Sequence, residues 1–281
     1  MISHKNIQIP GKHSKNILLD IYYNATGIKK PLVVFSHGYK GYKDWGAFDL
    51  MAQKFAADDF FMVKFNFSHN GGTMEQPIDF PDLEAFGQNN YSIEQDDLGV
   101  VLDWILSQPD FSEELDSDQV NLVGHSRGGG AVVLKAALDT RISKVITWGA
   151  VSDYASRFPE GPILEHWRKE GVAHIENART KQQMPHYIQF YEDFVANRAR
   201  LDIPSAARNL QIPHLIAHGT ADSTVLIEEG EKLNAWSSQS TLLRIENGDH
   251  VFGAKQPWES KELPSDFSKV IEVSIAFIKA D

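Results

Sequence analysis

Short runs of apolar, β-branched and aromatic residues alternate along this chain with stretches in which apolar residues recur every three or four positions. The first pattern suits strands buried on both faces, and the second suits helices that cover them. Leu32–Phe35, Phe61–Phe65, Val120–Val123, Val145–Trp148, His214–Ala217 and Leu242–Ile245 read as core strands. Ahead of them, Asn6–Ile9 and Ile17–Tyr22 read as an antiparallel entry pair. Phe48, Met51, Ala52 and Phe55 form one helical stripe, and Leu98, Val101, Leu102 and Ile105 form another. Further helices are expected over Arg127–Leu138, Ile227–Trp236 and Phe267–Ile278. This βαβα succession predicts the α/β class, with a mostly parallel, doubly wound sheet.

The rhythm fails between Val151 and Pro204, where about fifty residues separate two core strands. Ordinary connections are only a few residues long. Residues 1–150 and 205–281 are therefore expected to form one core domain, with 151–204 inserted as a cap. Within the insert Tyr187, Phe190, Tyr191 and Phe194 would share one helical face, and His186, next to Pro185, would mark a helix start. These aromatics either line a substrate pocket or fasten the insert to the domain.

Composition narrows the partners. Hydrophobic residues make up 42% and charged residues 23%, and no apolar run approaches the roughly 20 residues that span a bilayer, so a soluble globular protein is expected. Met1–Pro10 lacks a basic start followed by an apolar stretch, which makes the cytoplasm the default location. Three N-x-[S/T] matches, at Asn24, Asn66 and Asn90, are then incidental. The absence of cysteine excludes disulfides, thiolate metal sites and a cysteine nucleophile. A net charge of −11 would repel a phosphate backbone, so nucleic acid is not an expected partner. No dinucleotide or P-loop glycine pattern is present, and no cofactor is expected.

The chemistry-bearing motif is Gly124-His125-Ser126-Arg127-Gly128, placed directly after one expected strand and before an expected helix. A serine at such a strand-to-helix turn sits in a sparsely populated backbone conformation with its hydroxyl projecting above the sheet edge. A serine hydroxyl needs a base, and the base needs a carboxylate to fix its tautomer. Functional groups in open α/β sheets gather beyond the carboxyl ends of the strands. Two late strands end there in His218-Gly219-Thr220-Ala221-Asp222 and Asn247-Gly248-Asp249-His250. Ser126 is thus the candidate nucleophile, His250 the base and Asp222 the acid. Asp249 is a rival that adjacency to His250 disfavours, and a role within its loop suits it better.

The other histidines have plainer readings. His37, His125 and His218 sit beside glycines at strand ends, where an imidazole braces a turn. His166, Glu170 and His174 are four apart, but Gly171 interrupts their helix and no fourth ligand is evident, so no metal is expected. The loop Ser36-His37-Gly38-Tyr39-Lys40-Gly41 lies at the same end of the sheet as Ser126. Backbone N–H groups of Tyr39 and Arg127 are the candidate oxyanion hole.

Over nearly its full length the sequence resembles the α/β-hydrolase superfamily, most closely small bacterial esterases of the dienelactone hydrolase and cinnamoyl or feruloyl esterase type. The resemblance rests on His37-Gly38, Phe65-Asn66-Phe67, Gly124 to Gly129, His218 to Asp222 and Gly248 to Phe252. It implies the α/β-hydrolase fold with a cap after the sixth main strand, and cofactor-free hydrolysis of a small-molecule carboxylic ester. Three features depart from the family pattern. Dienelactone hydrolases use cysteine. The single glycine after His37 replaces the glycine-rich triplet of some lipases, which disfavours bulky tertiary-alcohol esters. Ser68-His69-Asn70-Gly71-Gly72 opens a long loop to Tyr91.

The reaction expected is attack of Ser126 on an ester of a small to medium or aromatic acyl group, an acyl-enzyme, and its hydrolysis with His250 as base throughout. Trp45 and Phe48, with Tyr187, Tyr191 and Phe194, are candidates for an apolar substrate pocket or for core. An acyltransferase using the same triad, or a non-catalytic binding protein on this scaffold, are the competing functions. Oligomeric state is not readable from the chain.

Overall fold

The computed structural model describes residues 1–280. The entry pair is β1 (Ile2–Pro10) and β2 (Asn16–Tyr23), antiparallel to one another. The core then runs β3 (Lys30–Ser36), α1 (Phe48–Ala57), β4 (Phe61–Asn66), α2 (Leu83–Gln88), α3 (Tyr91–Leu106), β5 (Leu115–His125), α4 (Arg127–Leu138) and β6 (Ile142–Trp148). After β6 come α5 (Gly161–Glu170), β7 (Val172–Glu176), β8 (Gln183–Tyr187), α6 (Gln189–Ala196) and α7 (Ile203–Asn209). The chain closes with β9 (His214–Gly219), α8 (Ile227–Trp236), β10 (Ser240–Ile245) and α9 (Ser265–Lys279).

Eight strands form one sheet in the order β1-β2-β4-β3-β5-β6-β9-β10, parallel from β4 to β10. Its central strands are the short apolar runs of the sequence, and Leu32, Val34, Leu122 and Val145 are completely buried. Helices α1 and α9 cover one face through Met51, Phe55, Val270 and Ile271, packed on Phe35, Val123 and Ile146. Helix α3 covers the other through Leu98, Val101 and Leu102, packed on Val34, Val63 and Leu122. The α/β class expected from the pattern is the one observed. Among the described residues no helix is long and apolar enough to cross a membrane.

The chain leaves β3 for β4 on one side and returns to β5 on the other, so the strand order reverses between β3 and β5. Their registered ends, Ser36 opposite Gly124, open the crevice where an open α/β sheet holds ligands.

Two local expectations are overturned. His186 does not begin a helix: it lies in β8, which pairs antiparallel with β7 as a separate two-stranded sheet. Tyr187 is likewise a strand residue, because α6 starts only at Gln189. The aromatic spacing over 187–194 fits a helix, yet pairing with β7 claims the first of those residues. The long stretch after Ser68 also carries its own element, α2, capped by Asp82 accepting from Ala85 N. Phe80 and Phe86 there pack with Tyr42 and Met184, which seats the β7–β8 sheet on the core.

Candidate active site

Ser126 stands between β5 and α4, as the cap of the helix, at φ 57° and ψ −121°, a left-handed conformation that costs a non-glycine residue on the order of 1–3 kcal/mol. The turn is held because Ser126 N donates to Trp148 O at 2.9 Å, while Ser126 O accepts from Val151 N and Gly129 N. Glycine is required at its flank: a Cβ on Gly124 would lie 2.3 Å from Gly128 O. The loop after β3 comes equally close. A Cβ on Gly38 would stand 2.8 Å from Ser126 Cβ.

The structure brings Ser126, His250 and Asp222 into one line. His250 Nδ1 lies 2.7 Å from Asp222 Oδ2, and His250 Nε2 lies 3.0 Å from Ser126 Oγ. An ionised carboxylate only accepts, so the imidazole proton sits on Nδ1 and Nε2 keeps its lone pair for the serine hydroxyl. Burial acts to raise the Asp222 carboxyl. Its bond to His250 and the N–H groups of Val225 and Thr224 outweigh that and hold it below the ordinary carboxylate value. Asp249 is turned away and caps its own loop through Val251 N and Gly253 N.

Three other histidines brace this end of the sheet. His125 Nε2 donates to His250 O at 2.9 Å, which fixes the loop carrying the imidazole. His218 Nε2 donates to Val225 O, and His37 Nδ1 donates to Gly38 O. Burial pushes His37 down to about 4 and His125 to about 3, so both stay neutral. Among the described residues, the backbone N–H groups of Tyr39 and Arg127 have no acceptor. Both belong to residues lining the space beside Ser126.

Ser126 lies between two cavities. The larger, about 690 Å³, is lined by Tyr91, Tyr154, Phe158, Trp167 and Phe190 among others. The smaller, about 140 Å³, contains Trp45, Phe48, His250 and Val251. Trp45 and Phe48 therefore face this site. Tyr187, Tyr191 and Phe194 line neither cavity. Tyr187 donates to Glu84 at the surface, Tyr191 packs beside Phe158 and Arg168, and Phe194 is buried against Tyr91 and Phe158. Phe190, on α6, lines the larger chamber.

The sequence reading overlooked Tyr91, Tyr154, Phe158 and Trp167, each of which reads equally well as core. It also passed over the side chain of Arg127, whose Nη2 donates to Glu94 at 2.5 Å. His186 bonds the hydroxyl of Tyr39 at 2.8 Å and faces the larger chamber. His166 and Glu170 are exposed on α5, which ends at a left-handed Gly171, and His174 lies beyond it on β7.

No family model matches this chain, and no curated protein matches it in sequence. Solved structures do match in fold. A putative hydrolase from Agrobacterium vitis S4 superposes with a TM-score of 0.72 at 19% identity, covering 99% of both chains. Est1E from Butyrivibrio proteoclasticus, solved with ferulic acid bound, gives 0.71 at 15% identity and 97% of both chains. The esterase domain of a Rhodothermus marinus protein gives 0.64 at 17% identity, over 99% of this chain and 98% of that one. The architecture is the α/β-hydrolase fold.

Proposed function

We propose that this α/β-hydrolase-fold protein is a serine hydrolase that cleaves carboxylic esters of small to medium or aromatic acyl groups. The observation that carries the reading is the Ser126–His250–Asp222 line, with the serine on a strained turn above the sheet. In this reading His250 Nε2 takes the Ser126 proton as Oγ bonds to the ester carbonyl carbon. The same proton passes to the departing alkoxide as the ester C–O bond breaks, leaving an acyl-enzyme. Water, giving its proton to His250, then attacks the acyl carbon, and that proton passes to Ser126 Oγ as the Oγ–acyl bond breaks, releasing the acid and restoring the serine hydroxyl. Tyr39 N–H and Arg127 N–H would hold the carbonyl oxygen as it gains charge, each being worth about 3 kcal/mol of barrier. Residues 151–204 serve as a cap, since Phe158, Trp167 and Phe190 from this segment close over the larger chamber.

Fluorophosphonate labelling followed by peptide mapping tests the assignment, run beside p-nitrophenyl acetate, butyrate and octanoate turnover. The expected result is one adduct, on Ser126, with turnover lost by about 10⁴-fold or more in Ser126→Ala and His250→Ala. Labelling elsewhere, or turnover that survives Ser126→Ala, would sink it.

A further inference from the structure

The larger chamber has an unexpected charge. The protein carries −11 overall, yet the residues lining this space include two arginines, Arg127 and Arg157. Among the described residues that line it there is no aspartate or glutamate. The carboxylates that balance the arginines stand behind the wall: Glu94 for Arg127 and Glu229 for Arg157.

Arg127 is the more constrained of the two. Its side chain is 14% exposed and packed among the rings of Tyr39, Tyr91 and Phe190, with centroids 5.0 to 5.9 Å from the guanidinium carbon. Only Nη2 has an acceptor, Glu94 Oε1. Nε and Nη1 have none among the described residues, and neither is a fully buried atom, while Arg127 itself lines the cavity. A guanidinium has five N–H donors in a planar fork that fits a carboxylate two bonds at a time. Tyr154 donates its hydroxyl to Arg127 O, fixing the same residue from its backbone side.

The two cavities can also be assigned. The histidine must deliver a proton to the leaving alkoxide, so the alcohol departs on the side that His250 lines. His250 lines the 140 Å³ cavity and not the 690 Å³ one. That cavity is the smaller of the two, so the smaller group of the ester fits there. The acyl group then occupies the large chamber, beneath Arg127.

We propose that the large chamber selects acyl groups bearing a second, free carboxylate, held by the unspent donors of Arg127, so that the substrates are monoesters of dicarboxylic acids with small alcohols. This rests on the serine-hydrolase reading for turnover, though the binding preference stands apart from it. The aromatic walls suit an apolar spacer between the carboxylate and the scissile ester.

The test compares methyl hydrogen succinate, adipate and suberate with the methyl esters of the corresponding monoamides, which keep size and remove charge. Wild type should favour the acid over the amide in kcat/KM by about tenfold or more at one spacer length at least, as a charge-assisted bond predicts. Arg127→Gln should bring that ratio to near one, and Arg127→Lys should restore part of it. Calorimetric binding of the free dicarboxylates and their monoamides to Ser126→Ala reads the same preference without turnover. Amides cleaved or bound as well as acids, or a preference unchanged in Arg127→Gln, would overturn the anion site even if esters are hydrolysed. Preferential binding of the dicarboxylate with no ester turnover would support the anion site and reject the hydrolase reading. The wild-type comparison needs no variant, so a poorly folding Arg127→Gln does not remove the test.

Discussion

Two of the groups of buried charges in this protein are built differently. On the β2–β4 side, Lys43 and Lys64 are almost wholly buried and, with Lys5, face Asp20, Asp44 and Asp49: three lysines against three aspartates. The three carboxylates lie close enough to hold a cation, with oxygens within 4.8 Å of one another. The ammonium of Lys64 takes that place, contacting all three. Lys64 also donates to Lys43 O, and Tyr22 donates to Asp49. Beside Ser126, by contrast, Arg127 has a single acidic partner and donors left over. A closed network can only hold the fold together, whereas an incomplete one facing a cavity has bonds to offer a ligand.

Breaking the closed network should have the largest effect on stability. Lys64→Met leaves Asp20, Asp44 and Asp49 with too little positive charge, and losing one partner of a buried ion pair costs about 3–5 kcal/mol. Urea denaturation should show that loss while the surviving folded fraction keeps its substrate preference. A variant of undiminished stability would mean the network is not closed as described.

Gly38→Ala probes the site end with a smaller and opposite balance. Its Cβ would press on Ser126, so kcat should fall by about 10²-fold, comparable to losing one oxyanion donor, with the unfolding midpoint little changed. Steady-state kinetics beside a thermal melt separates the two quantities, and unchanged kcat would mean the loop yields.

Acid should distinguish the two regions most gently. Burial holds His37, His69 and His186 near 4, and His125 and His214 near 3, well below the roughly 6.5 of an unfolded histidine. The unfolded chain therefore takes up protons first. The stability these groups contribute is complete above about pH 6.5 and declines toward pH 4, by up to about 1.4 kcal/mol per pH unit for each. Asp97, which burial raises to about 7, works the other way and softens the slope. Burial also acts to raise Asp44 and Asp49, but Lys64 and its neighbours hold both below the ordinary carboxylate value. The closed network then loses strength only at still lower pH. Hydrogen exchange at pH 5 should show β5, α4 and the His250 loop opening before β2 and β4, and the reverse order would refute the contrast.

Much of this was legible in the chain. Apolar runs located the strands of the sheet to within a few residues, and helical stripes located α4 and α8 to the residue, because the period of apolar positions is a local property of the chain. Strand-to-helix placement marked Ser126, and the ends of β9 and β10 marked Asp222 and His250 as neighbours. The sequence misjudged the insert, where Tyr187 and His186 carry a helical spacing but pair in a strand. It also gave no sign that Glu94 and Arg127, 33 positions apart, form a pair.

The sequence by itself determined which residues must be buried and where the chain must turn, since hydrophobic period and glycine placement act within a few residues. Only the tertiary structure decided which side of Ser126 is wide, which wall is positive and which donors stay unspent. Those depend on charges and rings brought together from α3, α4, the insert and the loop after β3, and the interaction energy of such groups is set by their distance in space and their removal from water, neither of which sequence separation records.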